Sequence, residues 1–553
     1  MKVLSLYNTF SKKERRFFVS ALLVFVISLS LWGMSVFYGE TVPEPVAGGS
    51  YIEAVVGQPA TVNPLLANEN GVDRDLIELL FANLLDLAEN YTESEDHQSW
   101  TINLKEGLKW SDGEPLTSDD VVFTLEAIQD SNIQSPLYAS WQGVIIERLS
   151  DQEIKLTLRN PYAFFADNLA RLKIVPKHIF GAIPFENLRL SNYNLEPVGS
   201  GPYKFSRYDK RKDGFIEKYQ LVENPYYVLK APLIKNFAFR FFERSSNALN
   251  AFNTRAVQGL GGLNDSESQK IKTSHHLFTI NSSQYYAVFF NPTINSALKD
   301  KNIRAALYKA TDRKELIKKV FNNRAVLADG PILPFIEGYT AGDGESSSFN
   351  PEQARELLEK AGWTIAEDSK DNIRTKKIKD TVIRLSFNIV VPRIPFLIQT
   401  ANILKNNWSA VGIGLNLTIL DPRDIARDII RTRNYQMLLF GNILNDNPDA
   451  FSFWHSSQRF YPGLNLALYE NKNVDALLES IRQEFDVEKR AALLAELQEQ
   501  IRKDQPALFL FSPYYLYAGP KNLGGLNAAT IVMPADRFRA AGRWYLRTAR
   551  IFK

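Results

Sequence analysis

The chain of 553 residues contains no cysteine. That excludes disulfides, thiolate metal sites, a cysteine nucleophile and a lipid-modified cysteine anchor. Histidine is scarce, with only His97, His178, His275, His276 and His455 present. None sits in an HExxH pattern, and the adjacent His275 and His276 point apart on most backbones, so no zinc site is indicated. Walker A and G-x-G-x-x-G runs are missing, and Gly199-Ser200-Gly201 lacks the spacing of a nucleophile elbow. Asp119 and Asp120 read as helix caps, not as a glycosidase acid/base pair. An exported hydrolase is therefore the disfavoured alternative, and no cofactor is called for. Excess charge is absent as well. The formal net charge is +3, yet the first 16 residues alone carry five bases against one acid, so the remainder comes to about −1. Nothing here predicts nucleic-acid binding.

What the chain does have is length, apolar content and aromatics, with 35 Phe, 23 Tyr and 45% hydrophobic residues. This exceeds one core and predicts two or three lobes. Residues 17–38 (FFVSALLVFVISLSLWGMSVFY) form an uncharged run of 22. At about 1.5 Å per residue a helix of that length spans a hydrocarbon core of about 30 Å. The basic residues 1–16 place the N-terminus inside and the main domain outside. A cleaved signal has a shorter apolar region and a small-x-small site, so an uncleaved single-pass anchor is the preferred reading. Both readings export the main domain. Residues 39–50 (GETVPEPVAGGS) read as a tether, stiff with proline and then flexible with glycine.

Beyond the tether, residues 51–56 read as a strand and residues 73–87 as one amphipathic helix. Residues 100–104 and 154–158 alternate as half-buried strands, and Thr117 caps a helix over 121–128. Helices over 303–311, 351–361, 394–411, 474–483 and 487–503 alternate with strands over 383–390 and 415–420, an α/β pattern. A closing apolar run covers 507–511.

Five separated blocks carry a resemblance. They are residues 100–121 (WTINLKEGLKWSDGEPLTSDDV); 197–205 (PVGSGPYKF) with 224–227 (NPYY); 290–292 (FNP) with 301–307 and 311–317; 349–363 (FNPEQARELLEKAGW); and 408–413 (WSAVGI) leading to 445–457 (NDNPDAFSFWHSS). In this order they resemble the extracytoplasmic solute-binding proteins of family 5, the oligopeptide, dipeptide and nickel-binding components of ABC importers. The resemblance implies an α/β, two-lobed periplasmic-binding-protein type II fold with an extra subdomain in lobe 1, preceded here by one transmembrane helix. The expected divisions are 51–94 and 195–282 for lobe 1, 95–194 for its inserted subdomain, 283–505 for lobe 2 and 506–553 for the return to lobe 1.

The same resemblance implies a protein that captures peptides and hands them to ABC permease subunits, with cytosolic ATPases behind them; with the anchor read from residues 17–38, the expectation is a monomeric, membrane-anchored receptor. Family peptide binders hold the ligand ammonium with an aspartate in the fifth block, which falls on Asp446. Asp449 is either its partner or a cap of the next turn. Trp454 and His455 are candidate cleft walls, and Arg393 is the candidate cation for a ligand carboxylate, with a solvated surface arginine as its alternative. Nickel, haem, an oligosaccharide or a signalling peptide remain alternative ligands, and a membrane-tethered sensor is a further one. Arg304 and Arg313 read as structural.

Overall fold

Ser11 opens the first helix, Lys12–Glu40, through a capping box: its hydroxyl accepts from the Glu14 amide and the Glu14 carboxylate accepts from the Ser11 amide. No residue of this helix is buried by the rest of the chain. The computed structural model describes residues 11–67, 70–342, 348–366, 371–445 and 447–552. The first ten residues of the basic tail, and Asp446, lie outside that set.

The helix runs into strand β1 (Thr41–Pro45), and β2 (Ser50–Val56) follows. β3 (Ala88–Glu93), β4 (Ser99–Leu104), β5 (Ile145–Arg148) and β6 (Glu153–Thr157) form the sheet of the inserted subdomain, in the order β3-β4-β6-β5. Next come β7 (Tyr203–Lys210), β8 (Ile216–Glu223), β9 (Asn236–Phe242), β10 (Gly259–Gly261) and β11 (His276–Ser282). Then follow β12 (Gln284–Phe290), β13 (Ala325–Leu327), the hairpin β14 (Thr375–Ile378) and β15 (Thr381–Arg384), β16 (Ser386–Pro392), β17 (Gly414–Leu420) and β18 (Met437–Ile443). β19 (Ala507–Pro513), β20 (Tyr515–Gly519), β21 (Thr530–Ile531) and β22 (Thr548–Phe552) complete the chain.

Lobe 1 is an eight-stranded mixed sheet, β21-β11-β20-β10-β2-β9-β8-β7. Its β9 turns Phe237, Phe239 and Phe241 into the core while Asn236 and Arg240 face out, the period-2 pattern of a half-buried strand. Lobe 2 is a six-stranded sheet, β13-β19-β12-β18-β16-β17. Its β19 is buried from Ala507 to Ser512, as expected of a central strand covered on both faces. Two crossings join the lobes: β11 passes into β12 at Ser283, and β19 passes into β20 at Tyr514. They touch where the Ser512 hydroxyl donates to the Ser282 carbonyl at 2.9 Å. This is the two-lobed type II architecture that the resemblance implied.

Several boundaries move. β19 pairs with β12 and β13, so the run 507–511 belongs to lobe 2 and the return to lobe 1 begins at β20, not at residue 506. The inserted sheet begins at Ala88, ahead of residue 95. Residues 39–50 are not a free tether: Gly39 and Glu40 finish the helix, β1 pairs antiparallel with β22, and the Gly48 amide donates to Leu233. The partner strand lies some 500 residues away, beyond the reach of any local pattern.

The expected helix over 73–87 is broken into Gly71–Leu80 and the single turn Leu84–Leu87. The cause is the stretch 197–205. Gly201 donates to the Leu80 carbonyl at 2.8 Å, and the Ser200 hydroxyl accepts from Ala82 at 3.2 Å, so the chain at 80–82 is engaged from outside the helix. A β-carbon on Gly199 would sit 2.0 Å from the Leu80 carbonyl oxygen, and one on Gly201 2.6 Å from that of Leu79. Close backbone approach, not positive φ, requires glycine at both. Gly199→Ala is expected to lower unfolding stability by about 2 kcal/mol, the usual scale of forced overpacking; an unchanged denaturant midpoint would contradict this packing.

Candidate functional site

All parts of the fold meet at one cavity of about 320 Å³ between the lobes. Helix Gly71–Leu80 of lobe 1 supplies Arg74, Ile77 and Glu78, and the inserted subdomain supplies Trp141, Asp167, Arg171 and Lys173. Lobe 2 contributes Asn445 and Asn447, and the segment before the last turn contributes Val532, Met533 and Asp536. Its floor is apolar, through Ile77, Leu137, Trp141, Leu172 and Val532.

Cations and acids alternate around that floor. Lys173 Nζ lies 3.3 Å from Glu78 and donates to the Phe81 carbonyl at 2.9 Å. Arg171 lies 3.9 Å from Asp536. Asp536 in turn accepts from the amides of Val532 and Met533 at 2.8 and 2.9 Å, which orders the segment beside the cavity. Asn447 Nδ2 donates to Asp167 at 2.9 Å, a direct bond from lobe 2 to the inserted subdomain. Arg74 reaches the Met533 sulfur at 3.6 Å.

A buried charge network supports this wall from behind. Arg537 makes paired bonds to Asp75 at 2.9 and 2.7 Å and a third to Glu53 at 3.1 Å. Tyr517 donates to the other Glu53 oxygen at 2.7 Å. Asp75 follows Arg74 on the lobe 1 helix and Arg537 follows Asp536, so the network ties together two cavity-bearing segments. Burial pushes the Glu53 carboxyl up to about 7, against the opposing pull of Arg537, and burial raises Asp75 as well.

Among the described residues, those singled out from sequence fall around the cavity, not on it. Asp449 is taken: its carboxylate accepts from Tyr162 Oη of the inserted subdomain at 2.8 Å and pairs with Arg482 of lobe 2 at 3.0 Å. It also caps the next turn through the Phe451 amide at 3.1 Å, the cap being one of its two expected roles. Burial, with the Asp449 carboxylate second, pushes the Tyr162 phenol well above its usual range. Trp454 is no cleft wall. It is fully buried in lobe 2 among Phe289, Tyr469 and Phe509, with its indole N–H donating to Tyr285 Oη at 3.2 Å. His455 stacks on Phe451 and meets Ser457 at 2.8 Å and Glu479 at 3.3 Å, all within lobe 2. Arg393 is exposed at the start of helix Pro395–Ser409, which is the solvated alternative of its two readings. Arg304 and Arg313 bond to carbonyls, as structural residues do. Asp446 lies outside the described residues, and its neighbours Asn445 and Asn447 line the cavity.

The lining residues Arg74, Glu78, Asp167, Arg171, Lys173 and Asp536 were not singled out from sequence. Arg74 and Glu78 share a face of one helix, and Asp167 and Arg171 share a face of another, Phe165–Arg171, which are the local hints among them.

Two lobes closing on a charge-paired, aromatic-floored cavity define a ligand-binding protein of the periplasmic-binding type. Residues 85–461 match the bacterial extracellular solute-binding proteins, family 5 (middle). The chain belongs to this family, whose members bind peptides and related solutes and work with ABC permease components. It is 25% identical over 506 residues to the oligopeptide-binding protein AppA of Bacillus subtilis strain 168, covering 87% of this chain and 89% of that one. It is also 28% identical over 316 residues to the nickel-binding periplasmic protein of Escherichia coli K12, covering 54% and 57%. The solved structure of B. subtilis AppA in complex with a nonapeptide superposes with a TM-score of 0.72 at 23% identity, covering 91% of this chain and all of the other. The homologues are solute-binding proteins, not enzymes.

Proposed function

We propose that this chain is a monomeric, single-pass, membrane-anchored receptor that captures peptides between its lobes outside the cytoplasm and delivers them to an ABC importer. The helix Lys12–Glu40 is the anchor, with its basic end in the cytosol. The observation that carries the ligand assignment is the alternation of cations and carboxylates around one apolar cavity. A zwitterionic peptide presents an ammonium, a carboxylate and apolar side chains. It can exchange the wall's internal pairs for pairs with its own termini, so neither charge is buried alone. A haem or a neutral sugar needs no such balanced set. Nickel would call for imidazoles, and His455 is engaged within lobe 2.

Asp446 is the proposed ammonium partner, between two asparagines of the cavity wall. Asp446→Ala is expected to weaken peptide binding by about 2 kcal/mol, the scale of a charge-assisted bond lost from a desolvated site. N-acetylating the peptide should cost the parent protein the same amount and cost the variant nothing more. Calorimetry in which the variant keeps the parent affinity would remove Asp446 from the site. Native mass spectrometry of the full-length protein in detergent tests the wider reading. Co-purified peptides support it, whereas a bound metal, haem or oligosaccharide replaces it.

A further inference from the structure

The last strand of the chain ends beside the membrane helix. In the β1–β22 ribbon Phe552 pairs with Thr41 and Thr548 with Pro45, so β22 runs back toward the helix. The Phe552 ring stands edge-on to Phe37, with centroids 6.2 Å apart. Arg550 lies over the Tyr38 ring at 4.4 Å, and its guanidinium donates to the carbonyls of Tyr38 at 3.0 Å and Thr41 at 2.6 Å. It thereby satisfies carbonyls that the helix end leaves open, with a cation at the negative end of the helix dipole.

Depth follows from counting. The uncharged run from Phe17 to Tyr38 is 22 residues long, and at about 1.5 Å per residue it just exceeds a hydrocarbon core of about 30 Å. Phe37 and Tyr38 therefore sit at the outer boundary, and whatever packs on Phe37 sits at that level. Phe552 is 73% exposed and Ile551 48%, which is costly in water and favourable in an interfacial layer. Aromatic rings with an arginine beside them are the composition that this layer favours.

We infer that the C-terminal strand is a second membrane contact, with Phe552 and Ile551 seated in the headgroup layer of the outer leaflet of the bilayer that the helix spans. The inference rests on the anchor reading above. Its consequence is orientation. β22 binds β1, the Val46 amide donates to Arg547, and the Gly48 amide donates to Leu233 of lobe 1, so no swinging linker separates lobe 1 from the bilayer. The receptor is held at a set height and angle, which confines its search for a permease to two dimensions.

The test uses the absence of cysteine, since one introduced cysteine is then the only labelling site. Full-length Phe552→Cys, Ile551→Cys and Ser28→Cys are each labelled with an environment-sensitive fluorophore, reconstituted one copy per nanodisc, and exposed to lipids carrying a quencher at the headgroup or deep in the acyl chain. The expected result is quenching at 28 by the deep quencher, and blue-shifted emission at 552 or 551 quenched by the headgroup quencher. If 28 is quenched while 551 and 552 emit as in water, the anchor stands and the strand contact is wrong. A blue shift at 552 with no lipid quenching likewise overturns the contact in favour of a protein neighbour. If 28 is not quenched, the anchor reading fails and this inference fails with it.

Discussion

Arg537→Met is expected to lower the unfolding free energy by roughly 3–5 kcal/mol, because it strands two carboxylates in the core. Glu53, Asp75 and Arg537 are all buried, and the guanidinium is within bonding distance of both acids. Arg537→Lys should recover little, since an ammonium cannot reproduce the paired bonds to Asp75 together with the one to Glu53. The loss has a pH signature. Glu53 is pushed up to about 7 from an ordinary value of 4.5, so between those values the folded chain holds a proton that the unfolded chain has released. Stability from this group is therefore fully present below about 4.5 and is lost as pH rises toward 7. Without Arg537 the acids resist ionisation further, so the variant should lose more at pH 8 than at pH 5. Glu53→Gln, which cannot ionise, should gain on the parent at pH 8 and converge with it at low pH. Urea titrations of the full-length protein at the two pH values measure both. A deficit for Arg537→Met that is equal at pH 5 and pH 8 would argue that the network does not carry buried charge.

That network also bears on binding. Helix Gly71–Leu80 carries Arg74 and Glu78 to the cavity, and the turn Pro534–Phe538 carries Asp536. The Asp75–Arg537 bond lies one residue from a cavity group on each segment. Fixing the two backbones relative to each other presents the wall's charges in a set geometry before a ligand arrives, which lowers the ordering cost of capture.

The parts of this architecture that were legible in the sequence are those with a short-range cause. The cap at Thr117 and Asp120, the alternating strands and the uncharged run all act within one or two turns of chain, and each stands where its pattern placed it. The helix break at 81–83 was not legible because Gly201 and Ser200 make it from outside. Nor was the β1–β22 ribbon, whose strands lie at opposite ends of the chain. The cavity charges were not legible for another reason. Arg171 and Lys173 look like any solvated cations until the fold brings Asp536 and Glu78 beside them. Asp449 was legible as a cap but not as an interlobe bond, since Tyr162 enters from another subdomain.

Asp449→Ala is expected to weaken binding of every peptide by up to about 30-fold, although the Asp449 carboxylate bonds to no cavity group. Tyr162, Asp449 and Arg482 form a clasp between the inserted subdomain and lobe 2, and the Ala163 amide adds a bond to the Arg482 carbonyl at 2.8 Å. His97 of the inserted subdomain stacks on Phe485 of lobe 2 close by, so the clasp belongs to a continuous contact between the lobes. Removing the carboxylate leaves the Tyr162 hydroxyl without its acceptor and Arg482 without its counter-ion. Arg482 is a third exposed and keeps part of its hydration, so the cost falls at the low end for a broken buried pair, about 3 kcal/mol. The Asp449–Arg482 pair and the Phe451 cap lie within lobe 2 and are lost from open and closed states alike, whereas the Tyr162 bond crosses to the inserted subdomain, so only that bond's share of the cost falls on the closed state and shifts the equilibrium toward open lobes. That hydrogen bond to a charged group is worth about 2 kcal/mol, and apparent affinity drops by the fraction of closed receptor lost, which gives a figure of about 30-fold. Tyr162→Phe should show a smaller loss, about 1 kcal/mol, and the double variant should be no weaker than Asp449→Ala, because both changes act on one bond. Free and N-acetylated peptides must lose affinity by the same factor, which separates a clasp from a ligand contact. Calorimetry showing additive losses, or a loss confined to peptides with a free ammonium, would return Asp449 to the ligand site.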